Sequence, residues 1–182
     1  LLSDVFSRWS RVAAAVSVVM MAGLLAGCQV RPLYGEASGT KERLAAVSIS
    51  NAGDRITQEV RNQLIFLVSG GAGEPATAQY NVKLSVSSSA TSTEVENYDL
   101  TTRTNSNYNG PYPGRVVMNG NYVLTRISDG QILRSARRSV TAQVDLPQQE
   151  FAKIRAIRDA ENRAARELAE IIRTDIAATL GR

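Results

Sequence analysis

Tyr122-Val123-Leu124-Thr125-Arg126-Ile127-Ser128-Asp129-Gly130-Gln131-Ile132-Leu133-Arg134 is the stretch that decides the fold. Two apolar, β-branched runs flank four turn-forming residues. Asp-Gly tolerates the positive φ angles that tight hairpin turns need. The stretch therefore predicts one strand over 115–127, a turn at Ser128–Gln131, and a returning strand from Ile132 to Val144. The returning strand carries Arg134, Arg137 and Arg138. Side chains alternate across a strand, so Arg134 and Arg138 share one face and Arg137 lies on the other.

Working outward, Tyr80-Asn81-Val82-Lys83-Leu84-Ser85-Val86 alternates strictly between apolar and polar residues. One face of this strand packs on a core and the other meets water. Ser87 to Thr93 reads as a polar continuation that leaves the sheet. Residues 97–114 are rich in Asn, Thr, Tyr, Gly and Pro and read as a long loop or a partly exposed hairpin tip, a length often tied to function. Further upstream, residues 44–50 predict a short strand. Asn51 to Asp54 supplies helix-capping side chains, and Ile56, Val60, Leu64 and Leu67 recur at helical spacing. Gly70, Gly71 and Gly73 end that helix. Downstream, Leu146-Pro147 closes the last strand. A long helix from about Gln148 to Leu180 follows, with Phe151, Ile154, Ile157, Ala164, Leu168, Ile171, Ile172 and Ile176 as its apolar stripe. The order of elements predicts an α+β fold: a four-stranded, mostly antiparallel sheet with two helices on one face. The other sheet face then needs water or a partner.

The N-terminus has a different character. Asp4, Arg8 and Arg11 precede an apolar run from Val12 to Ala26 that is interrupted only by Ser17 and Gly23. A membrane span takes roughly 20 apolar residues, so this run has the length of a signal-peptide core. It ends in Leu25-Ala26-Gly27-Cys28, which resembles the lipobox read by lipoprotein signal peptidase. Cys28 is the single cysteine of the chain and is the expected lipid-attachment residue. Several acyl chains on it would give stable anchoring. Gln29 takes the place of the aspartate that serves such lipoproteins as an inner-membrane retention cue, which favours the outer membrane. The expected organisation is a signal peptide at 1–27, a lipidated tether at 28–42 and one α+β domain at 43–182.

Composition narrows the chemistry. Cleavage of residues 1–27 takes away two arginines and one aspartate, so the formal charge falls from +4 to +3. That is too weak to imply nucleic acid, although basic patches could meet acidic lipid or sugar phosphates. The sequence has no histidine, and its one cysteine is assigned to lipid. Ser-His-Asp and Cys-His nucleophile systems and histidine-based metal sites are thereby excluded. Glu94 with Glu96 or Asp99 could form a carboxylate pair, but they read as a solvated strand edge. No catalytic residue, metal site or cofactor is expected.

Four features together resemble the LptE family, the lipoprotein partners of the lipopolysaccharide-export barrel LptD. They are the lipobox at Cys28, the nearby Arg31-Pro32-Leu33-Tyr34-Gly35, the order of elements, and Asp145-Leu146-Pro147-Gln148-Gln149-Glu150-Phe151-Ala152 leading into an Ala/Arg/Glu-rich terminal helix. The resemblance implies a non-enzymatic plug inside an LptD-like β-barrel. Such a plug assists barrel assembly and lipopolysaccharide transport from the periplasmic side of the outer membrane. Arg103, Arg115, Arg134, Arg137 and Arg138 are candidate lipopolysaccharide contacts by charge and location. On that reading, reversing Arg134 and Arg138 should leave folding nearly unchanged. The alternative function is a lipoprotein regulator or scaffold of another envelope complex, such as a cell-wall synthase activator.

Overall fold

The computed structural model describes residues 39–92 and 111–181. Residues 1–38, with the expected signal peptide, Cys28 and the Arg31–Gly35 string, and residues 93–110, with Glu94, Glu96, Asp99, Arg103 and most of the expected loop, lie outside the described residues. The elements in chain order are α1 (Thr40–Ala45), β1 (Val47–Ile49), α2 (Arg55–Ser69), β2 (Tyr80–Ser92), β3 (Tyr112–Arg126), β4 (Ile132–Leu146) and α3 (Glu150–Leu180). The four strands form one sheet in sequence order. β1 runs parallel to β2, and the two remaining pairs are antiparallel.

The α+β class and the mostly antiparallel four-stranded sheet agree with the sequence reading, but there are three helices where two were expected. Thr40–Ala45 is helical, where the sequence predicts the end of a tether and the start of a strand. The first strand is correspondingly short and begins at Val47. Leu44 is the buried apolar residue that seats α1, and Gly39 at its N-cap is in the left-handed region and makes no side-chain cap. No capping signal therefore marked this helix. β2 does not leave the sheet after Val86. It stays paired to β3 as far as Ser92 opposite Gly114.

α2 begins where Asp54 caps it. The carboxylate accepts from the Thr57 amide at 2.9 Å and the Thr57 hydroxyl at 2.6 Å. Those bonds, led by the hydroxyl, hold the Asp54 carboxyl below its ordinary value. Gly70, with φ at 63°, stops the helix in the left-handed conformation that a side chain would resist. The hairpin turn works the same way, with Gly130 at φ 68°.

The core lies between one sheet face and the two long helices. Val82, Leu84, Met118, Tyr122, Leu124 and Val140 point from the sheet toward Val60, Leu64, Leu168, Ile172 and Ile176, and Val116, Val144 and Leu146 form a second cluster with Ala160. α3 approaches closely because Ala160, Ala164, Ala165, Ala169 and Ala177 fill its buried side. At Gly120 a Cβ would stand 2.9 Å from a Leu168 methyl. Glycine at that point makes room for the leucine. Two residues of the expected α3 stripe are not in the core. Phe151 is 85% exposed and Ile154 is 41% exposed.

Candidate functional site

Both long helices pack on the same side of the sheet, so alternation leaves the odd-numbered positions of the three long strands facing away from them. The register places Ser85 opposite Asn121, Ser87 opposite Asn119, and Ser89 opposite Val117. On the other side of β3, Asn121 faces Arg137, Asn119 faces Ser139, and Val117 faces Thr141. Among the described residues no element covers this surface. Ser85, Ser87, Ser89, Asn121, Ser139 and Thr141 are exposed. The face is rich in short hydrogen-bonding side chains. It continues onto β1 through a small network: Ser50 donates to Asn81 at 3.0 Å and Asn81 donates to Ser48 at 3.1 Å.

The charges on this face are unbalanced. Lys83, Arg115 and Arg137 are exposed on it, and Asp145 is the one carboxylate on it among the described residues. Arg115 pairs with Gln143, six residues along β4 from Arg137. At about 3.3 Å per residue the two guanidinium-bearing positions stand roughly 20 Å apart along the strands. They can make two separate contacts but cannot clamp one group together.

Arg134 and Arg138 do share a face, as alternation requires, but it is the helix-covered one. Arg138 contacts the Asp175 carboxylate at 2.7 Å through Nε and donates to it at 3.0 Å through Nη2. Arg134 Nη2 is 3.6 Å from Asp175, and Arg134 Nε donates to the Tyr122 hydroxyl at 3.3 Å. The Tyr122 hydroxyl in turn donates to Asp175 at 2.9 Å. Burial alone would raise the Asp175 pKa. The hydrogen bonds from Arg138 and Tyr122 and the charges of Arg138 and Arg134 outweigh it and hold the carboxyl below its ordinary value. Burial pushes the Tyr122 phenol up, and Asp175 adds to that against the pull of Arg134. The two arginines are thus ties between β4 and α3. Reversing both would set three carboxylates against one another, so the expectation that folding would be nearly unchanged does not hold.

The other candidates divide plainly. Arg115 and Arg137 lie on the open face, and Arg103 lies outside the described residues. Sequence reasoning missed Asp175 and Tyr122. The available signal was an acid inside the apolar stripe of α3, between Ile172 and Ile176. A second tie joins the helices to β2: Glu161 accepts from Ser88 at 2.8 Å and pairs with Arg55 of α2.

A family model for lipopolysaccharide-assembly proteins, LptE, matches residues 43–176. The chain belongs to the LptE family. The match spans β1 through most of α3, and so includes both the open face and the Asp175 tie. A lipoprotein from Caulobacter crescentus CB15 has a similar solved structure, at 25% identity and a TM-score of 0.60, covering 80% of this chain and 98% of that one. A minor lipoprotein from Acinetobacter baumannii is 12% identical with a TM-score of 0.49, over 72% of this chain and 91% of that one. Rare lipoprotein B from Shewanella oneidensis is 14% identical with a TM-score of 0.45, over 73% of this chain and 92% of that one. No curated protein sequence matches the chain. Family and fold together make this LptE-family chain an envelope lipoprotein of lipopolysaccharide assembly.

Proposed function

We propose that this LptE-family protein is anchored through lipid on Cys28 at the periplasmic side of the outer membrane and sits as a plug in an LptD-like β-barrel. There it assists barrel assembly and the passage of lipopolysaccharide to the surface. The observation that carries this reading is the uncovered polar face of β2, β3 and β4. The solvated face of an antiparallel sheet is ordinarily polar. Here most positions are Ser, Thr or Asn, short enough to approach a second surface closely. The interior of an outer-membrane barrel is polar and wet, and hydrogen-bonding side chains on both walls suit each other there. Binding rather than catalysis is the proposed mode of action.

Lipopolysaccharide carries phosphates, and arginine presents donors in a fork that fits them. On this reading Arg115 and Arg137 make the contacts, while Arg134 and Arg138 hold α3 in place. The test is pull-down of the tagged protein from envelope membranes as wild type and as Arg115→Glu/Arg137→Glu. The barrel should co-purify with both, and lipopolysaccharide should be reduced several-fold with the variant. The residual lipopolysaccharide should also depend less steeply on salt, because exposed charge contacts are screened. Equal lipopolysaccharide recovery at low and high salt would remove these arginines from the reading. Absence of any β-barrel with the wild type would reject the plug.

A further inference from the structure

The two edges of the sheet are finished differently. On β2 the Val82 carbonyl accepts from the Ser50 amide, and the Val86 amide donates to the Thr57 hydroxyl at 3.3 Å. Backbone groups alternate sides along a strand, so the even-numbered residues of β2 aim theirs at the β1 side. β1 ends at Ile49, opposite Val82, and Thr57 takes the Val86 amide. Among the described residues no strand pairs with this side of β2 from Ser87 to Ser92. Ser87 and Ser89–Ser92 are exposed. Residues 85–92 hold no charge and no proline, and their register with β3 has no shift. The β4 edge is guarded instead. The registers carry the alternation across the sheet and turn the odd-numbered backbone groups of β4 outward. Arg163 Nη2 donates to the Gln143 carbonyl at 2.9 Å, and Arg138 Nη1 donates to the Arg137 carbonyl at 3.1 Å. Charged side chains of this kind keep an edge single, whereas an edge without charge, proline or bulge is a template for another strand.

From this contrast we infer that the free edge of β2, Ser87–Ser92, takes an extended segment of the enclosing barrel protein as an added strand. The inference rests on the plug reading of the open face. Ser87 and Ser89 lie on that face, so a partner laid against it also reaches this edge. Only another backbone supplies donors and acceptors at the spacing of the outward groups of Ser88, Ala90 and Ser92. Ser87–Ser92 has the length of an ordinary strand. The wall strands of a closed barrel are already paired on both sides. The added strand therefore comes from a segment that projects into the lumen. Its main-chain hydrogen bonds hold the partner and fix the register of plug against barrel.

The test compares the full chain as wild type, Ala90→Pro and Ala90→Thr in pull-downs from envelope membranes. The Ala90 amide points away from β3, so proline removes an outward donor and leaves the chain's own ladder intact. Threonine keeps the donor. Both variants should melt as the wild type does. The barrel should co-purify with wild type and Ala90→Thr, and several-fold less with Ala90→Pro. Hydrogen exchange on the wild type, read residue by residue, keeps the test open should proline disturb folding. The amides of Ser88, Ala90 and Ser92 should exchange several-fold more slowly in the barrel complex than in the isolated chain. Equal barrel recovery with two stably folded variants, or unchanged exchange in the complex, overturns the added strand and leaves the plug standing. Slow exchange already in the isolated chain means that the chain covers its own edge. Slow exchange only at high protein concentration means that a second copy covers it. Either result overturns the inference. Absence of a barrel with the wild type overturns the plug and, with it, the inference.

Discussion

Leu168→Ala should lower the unfolding free energy by about 2–5 kcal/mol, toward the upper part of that range. Leu168 is fully buried at the centre of the core. The surface facing it is Gly120, which has no side chain that could relax into the vacated space. The cavity should therefore persist, and the cost of a core truncation grows with residual cavity volume. Gly120→Ala alone should also destabilise, by about 1–3 kcal/mol, because the new methyl would press on Leu168. Together the two changes should cost clearly less than their sum, since the added methyl partly fills the hole left by the leucine. Denaturant unfolding of the four proteins measures this cycle. Strict additivity would mean that the helix and the glycine do not meet.

Asp175→Asn should remove about 1–3 kcal/mol at neutral pH and flatten the acid limb of the stability profile. Asp175 is the shared acceptor for Tyr122, Arg134 and Arg138, and Tyr122 is buried while the two arginines are each about a third exposed. The arginines can turn to water when the carboxylate is gone, so most of the cost falls on the Tyr122 hydroxyl. The direction with pH follows from the lowered pKa. A carboxyl whose folded-state value lies below its unfolded value of about 3.9 stabilises the fold above that value. Its contribution is lost as pH falls through the folded-state value, so wild-type stability should drop steeply below about pH 4. The asparagine variant should lose less over that window, with Asp54 accounting for part of what remains. Parallel acid limbs for the two proteins would show that Asp175 is not held by its partners.

Much of this architecture could be read directly. Asp129-Gly130 specified the hairpin because few residues accept its backbone angles, and Gly70 specified the end of α2 for the same reason. The 15 residues of α2 and most of α3 followed from apolar spacing. α1 escaped because its six residues carry no capping side chain and only a single turn of apolar contact. The parallel pairing of β1 escaped because three residues hold too little pattern to orient a strand. The site was half legible. Alternation correctly grouped Arg134 with Arg138 and set Arg137 apart. The side on which the group lay was also encoded, since Arg134 and Arg138 share parity with the buried Val140 and Val144. Two adjacent long cations looked like surface, and their partner Asp175 is 37 residues beyond Arg138, on another element. Charge alone cannot report such a partner. The open face was legible only as a remainder: two helices cannot cover both sides of four strands.

The central claim is that the polar face of β2, β3 and β4 is the surface a barrel encloses. It is tested most directly by site-specific photo-cross-linking in intact envelopes, with a photoreactive residue at Asn121 on the open face. Asn121 is exposed at mid-strand, between Ser85 and Arg137. A photoreactive residue in place of Arg166, exposed on the outer side of α3, provides the comparison. The account predicts a strong adduct from position 121 to a single large β-barrel protein, mapped by mass spectrometry to residues that face its lumen. An adduct from position 121 to an inner-membrane protein, or no adduct there while the barrel still co-purifies, would contradict it.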